Sequence, residues 1–121
     1  MSGVTTIDFG HPDETRTFTH GRVDIVRVGP STIAQLSLEP GWHWSEDVKP
    51  LAGTETCQAR HVGFMESGRL QVTMEDGTQL DIGPGESYVI EPGHDARVVG
   101  NEQVVALEFA TDTAERFARI P

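Results

Sequence analysis

Basic residues are scarce in this chain. Nine Lys and Arg face nineteen Asp and Glu, for a formal net charge of −10. Phosphate recognition needs a basic surface, so the balance argues against nucleic acid or an anionic membrane as a partner. Cysteine is nearly absent, and the lone Cys57 rules out an internal disulfide framework and suits a reducing compartment. No apolar run approaches the length of a membrane span, and residues 1–8 show neither the basic region nor the apolar stretch of a signal peptide. A soluble cytoplasmic protein is the expectation. Low-complexity segments and strong repeats are missing, and no segment with a 3.6-residue apolar period precedes the C-terminus. A chain of 121 residues is one domain by size, able to bury a core without disulfides or a structural metal.

What is present is a series of short alternating runs. They are organised around residues 61–97, which read as strands separated by tight turns with His61 and His94 near the two ends. Asp76-Gly77 between two alternating runs is a strong hairpin signal, because glycine supplies the positive φ that a tight turn needs. Gly83-Pro84-Gly85 and Pro92-Gly93 punctuate the neighbouring strands. Upstream, residues 22–28 and 32–38 alternate, with Ala34, Leu36 and Leu38 on one face. Residues 42–49 read as a strand that places Trp42, Trp44, Glu46 and Val48 on one side and His43, Ser45, Asp47 and Lys49 on the other. That polar side either faces solvent or lines a pocket backed by the tryptophans. Residues 57–65 read as a further strand, with Cys57, Ala59, His61, Gly63 and Met65 on one face and Val62 and Phe64 on the other, as expected of a central strand or a dimer contact. Residues 96–99 and 104–109 are apolar strands around Gly100-Asn101.

Residues 1–21 form a polar N-terminal arm in which residues 4–7 make a short strand; His11 and His20 are read as solvated loop histidines. Asp112 with Glu115 is a capping box for a short helix over residues 111–121, docked by Phe117 and Ile120. About nine or ten short strands at roughly 8–12-residue spacing indicate an all-β sandwich or barrel.

Gly85, the apolar run to Glu91-Pro92-Gly93, and then Arg97-Val98-Val99 together resemble the second sequence motif of the cupin superfamily. Glu66-Ser67-Gly68-Arg69-Leu70 is similar to the end of the first motif, and the likeness covers about residues 32–109. Pro40-Gly41-Trp42, Trp44-Ser45-Glu46, Val48-Lys49-Pro50, Cys57-Gln58, His61-Val62-Gly63 and Pro92-Gly93-His94-Asp95-Ala96 resemble a subgroup of small actinobacterial-type cupin-domain proteins. The resemblance implies a single cupin domain over residues 1–121, folded as a double-stranded β-helix jelly-roll barrel. It also implies a metal set of three histidines and a glutamate, from which this chain departs. Asp47 and Lys49 stand at the His-x-His positions. His61 stands at the glutamate position, seven ahead of Gly68. Ala96 stands at the second-motif histidine position, with His94 two residues earlier.

Two chemistries follow from these residues. Asp47, His61 and His94 supply the two-histidine, one-carboxylate inventory of a divalent ion such as Zn, Fe, Mn or Ni. On a strand His43 lies roughly 13 Å from Asp47 and cannot share its ion. Lys49 repels a metal unless it is deprotonated or paired with Asp47. Without metal, a desolvated Lys49 acts as a base or as the partner of a ligand carboxylate, and His61 as a general acid or base. On one strand Cys57 also lies roughly 13 Å from His61, which makes it a buried, inert thiol beside the pocket of His43 and Ser45. Three functions remain open: a lyase, isomerase, cyclase or dioxygenase acting on a small molecule; a non-catalytic small-molecule sensor; and a structural partner-binding module. A homodimer through an outer sheet face is expected.

Overall fold

The computed structural model describes residues 3–109, so the helix expected over residues 111–121 lies outside the described residues. Among the described residues nine strands make two antiparallel sheets: β1 (Glu14–Phe18), β2 (Gly21–Val28), β3 (Ser31–Leu38), β4 (His61–Ser67), β5 (Leu70–Met74), β6 (Gln79–Ile82), β7 (Ser87–Ile90), β8 (His94–Val98) and β9 (Val104–Glu108). The larger sheet runs β1-β2-β3-β9-β4-β7 and the smaller β6-β5-β8. Together they form an all-β barrel of the jelly-roll kind.

The alternation read from the sequence sets which faces meet. On β4 the buried positions are His61, Gly63 and Met65; on β8, His94, Ala96 and Val98; on β9, Val104, Ala106 and Glu108. These inner faces meet Leu70, Val72 and Ile82 in one apolar cluster, where each fully buried large aliphatic side chain contributes about 1.5–3 kcal/mol. The Asp76-Gly77 turn closes β5 onto β6 as expected: Thr78 N–H donates to Asp76 Oδ1 at 2.9 Å, and Gly77 adopts φ +91°. Gly68 turns β4 into β5 with φ +78°, and a Cβ there would stand 2.6 Å from the Gln103 carbonyl oxygen.

Two expectations are corrected. The arm's strand lies at Glu14–Phe18 rather than at residues 4–7, where Val4 and Ile7 are exposed. Residues 42–49 are not a strand but two helical turns, α1 (Trp44–Asp47) and α2 (Lys49–Ala52). Asp47 N–H donates to the His43 carbonyl at 2.9 Å, and Val48 N–H to that of Trp44 at 2.9 Å. The Asp47 carboxylate accepts the His43 N–H at 3.1 Å and ties down the start of the first turn. Trp44 and Val48 are both buried. A spacing of four satisfies one helical turn as well as two strand repeats, so alternation alone does not separate the two.

Candidate metal centre

Three segments converge at one end of the barrel. His61 begins β4 on the larger sheet, and His94 begins β8 on the smaller. Between them the chain crosses from one sheet to the other over residues 57–61. Cys57 is pinned to the start of β8 by its own N–H to the His94 carbonyl at 2.7 Å and by Gly93 N–H to its carbonyl at 2.8 Å. Cys57, His61 and His94 are 6, 5 and 3% exposed, and one ligand atom from each lies within 4.8 Å of the others. The Cys57 Sγ to His61 Nε2 distance is 3.7 Å, not the long separation expected of one continuous strand. The two imidazole rings meet edge to face at 5.1 Å.

Both rings are oriented by a partner on Nδ1. His61 Nδ1–H donates to Glu108 Oε1 at 2.7 Å, and His94 Nδ1–H donates to the Glu91 carbonyl at 2.7 Å. The Nε2 atoms are thereby left to face the thiol. Glu108 accepts a second bond on Oε2 from the Tyr88 hydroxyl at 2.5 Å. Tyr88, Gly63 and Glu108 are register partners in a row across β7, β4 and β9. Gly63 leaves the room for this bond, because a Cβ there would stand 2.8 Å from the Tyr88 oxygen and 2.4 Å from the Leu107 carbonyl.

The charges follow from this packing. Burial pushes the Cys57 thiol up, but hydrogen bonds from His61 and His94 outweigh it and bring the pKa down to about 6. Burial pulls His61 down, while the Glu108 carboxylate and Cys57 more than offset it and raise the ring to about 10. Burial and Glu108 both push the Tyr88 hydroxyl up, so it stays a donor. At neutral pH the free cluster therefore holds a thiolate beside an imidazolium.

The structure brings Cys57 to His61 and His94 and places the other sequence-predicted residues elsewhere. The Asp47 carboxylate meets His20 Nδ1 at 3.1 Å and the His43 N–H, so the expected set of Asp47, His61 and His94 does not assemble. Lys49 pairs with the exposed Glu55 at 2.8 Å on the surface rather than sitting desolvated in the barrel. His43 is partly exposed and meets Glu46 and Asp95, each at 2.9 Å, and Ser45 N–H donates to Asp95. The common cause is the helical turn, which swings these side chains off the inner face. Glu108 and Tyr88 were missed, although Glu108 continues the inward series Val104, Ala106 as a carboxylate on an apolar face.

The donor set fits a metal. A thiolate and two imidazoles match borderline and soft divalent ions, and hydrogen bonds to the far nitrogens of ligating histidines are a regular part of such centres.

No protein-family model and no curated protein matches the chain. Solved structures do. A protein of unknown function from Rhizobium leguminosarum is 25% identical with a TM-score of 0.54, covering 74% of this chain and 78% of that one. KdgF from a Halomonas species is 17% identical with a TM-score of 0.58, covering 93% and 99%. A cupin-like protein from Thermotoga maritima is 13% identical with a TM-score of 0.52, covering 78% and 70%. The chain is a small protein of the cupin fold. Among the described residues, no helix is long and apolar enough to cross a membrane.

Proposed function

We propose that this cupin-domain protein binds and transforms a small organic molecule at a divalent metal held by Cys57 Sγ, His61 Nε2 and His94 Nε2. The observation that carries the reading is that each histidine is held through Nδ1 while one ligand atom of each of Cys57, His61 and His94 lies within 4.8 Å of the others. Three protein donors leave a coordination position for water or substrate. The ion, when bound, supplies Lewis acidity for a lyase, isomerase or cyclase step, or oxygen chemistry if it is iron. The thiolate favours Zn, Fe or Ni over Mn. Glu108 holds the His61 ring, Tyr88 holds Glu108, and the burial of Cys57, His61 and His94 keeps bulk water away.

Metal content by mass spectrometry on tag-free protein, purified without chelator, tests this. Near-stoichiometric metal is expected in the wild type and in Asp47→Ala, with loss in Cys57→Ala, His61→Ala and His94→Ala. A wild type that takes up no Zn²⁺, Fe²⁺, Mn²⁺ or Ni²⁺ overturns it. The 3.7 Å Cys57–His61 contact then favours the second reading, a metal-free thiolate–imidazolium pair working by acid–base chemistry or a sensor that only binds. We also propose that the protein is a homodimer through the outer face bearing Val62 and Phe64; a monomer mass in light scattering at every concentration would sink this.

A further inference from the structure

The two sheets do not close on each other everywhere. β7 is an edge of the larger sheet and β6 an edge of the smaller, and between them lies a cleft of about 480 Å³. That volume suits a small organic ligand. Its floor is apolar, from the buried Val72, Ile82 and Ile90, and it is flanked by the exposed Leu80 and Val89. Tyr88 lines it as well, with its hydroxyl bonded to Glu108 behind, so the cleft adjoins the buried cluster through one side chain.

The charge of this lining has one sign. Asp81, Glu86 and Glu91 border the cleft, and among the described residues no Lys, Arg or His does. Glu91 is offset by Arg60 Nε at 2.7 Å, and Glu86 spends one oxygen on the Gly83 N–H. Asp81 makes no ion pair among the described residues. A carboxylate or phosphate entering here meets unbalanced negative charge in a partly desolvated groove, in a protein of net charge −10. A protonated amine meets carboxylates beside an apolar floor and the Tyr88 side chain, a lining that suits an organic cation.

Resting on the reading above that the protein takes a small organic molecule, we propose that this cleft selects organic cations with an aromatic or hydrocarbon body, placing the body over Ile82, Ile90 and Tyr88 and the ammonium toward Asp81. Anionic substrates are excluded by the same groups.

The test is a ¹H–¹⁵N NMR titration of the protein as purified with benzylammonium, benzyl alcohol and benzoate. Benzylammonium is expected to bind roughly tenfold more tightly than benzoate at low salt, with the gap shrinking as salt is added. Shifts should centre on Leu80 and Tyr88 to Glu91. Asp81→Lys, on an exposed edge strand whose folding the same spectra report, should bring the two charged probes to near parity and leave benzyl alcohol unchanged. Equal or tighter binding of benzoate, shifts centred elsewhere, or no saturable binding of any probe overturns the proposal. Metal analysis of the same sample separates the two readings. Metal-loaded protein that ignores benzylammonium sinks the cleft alone, and metal-free protein that binds it keeps the cleft and sinks the metal.

Discussion

Metal uptake should release one proton per ion over a wide pH range. In the free protein Cys57 titrates at about 6 and His61 at about 10, so between those values the pair carries a single proton, on the imidazole. Metal needs the thiolate and a neutral ring nitrogen, so that proton must leave. The sign follows from linkage. The bound state carries fewer protons, so affinity rises with pH, about tenfold per unit for one proton. From pH 7 to pH 9 this amounts to about 100-fold, or about 2.7 kcal/mol. Competition against a chromophoric chelator of known protonation, at pH 7, 8 and 9, measures the slope. Calorimetry in buffers of different ionisation heat counts the proton directly. An unpaired histidine site with an ordinary pKa near 6.5 and no thiolate would show nearly flat affinity across this window. A flat profile with no proton released would therefore refute the assignment of Cys57 and His61 as coupled ligands.

Further outcomes follow from the same geometry. Glu108→Gln keeps the shape but removes the charge that raises His61; metal affinity should fall about 10–100-fold, and the His61 pKa, followed by NMR, should drop. Unchanged affinity and titration would leave Glu108 without a role in orienting the ring. Gly63→Ala pushes a methyl against the Leu107 carbonyl and the Tyr88 hydroxyl, and urea unfolding should show a loss of about 2–3 kcal/mol. Lys49→Met should change neither metal content nor turnover, because its ammonium lies on the surface beside Glu55; a large loss of either would restore Lys49 to the site.

Much of the fold is legible in alternation and turns. The strands at residues 22–28, 32–38 and 104–109, the Asp76-Gly77 hairpin and the strand before Pro92-Gly93 all stand close to where the sequence puts them; a single buried face leaves a period of two on β3 and β9, whereas β2 buries the four consecutive residues 23–26. The site is less legible, for specific reasons. Trp44 and Val48 suit a strand and a helix equally, and taking the strand put Asp47 and Lys49 inside the barrel. Cys57 and His61 are four residues apart, and only the crossing between sheets brings them into contact; strand geometry alone separates them. His94 reads two residues off the family's histidine position, yet positions 94 and 96 share a face of β8, so its ring still points inward. Glu108 was readable as a lone carboxylate in an apolar series, which is the kind of local inconsistency that marks a functional position.

His61 belongs to one sheet and His94 to the other, so a bond from each ring to a common atom is a rivet between the two halves of the barrel. About 33 residues separate them along the chain, and on the chain-entropy treatment of cross-links a closure of that length is worth about 4 kcal/mol. Such a rivet would bind the fate of the small sheet to that of the large one. With it drawn, amide protons of β5, β6 and β8 should exchange as a separate, faster population, and the barrel would come apart by its smaller wall first.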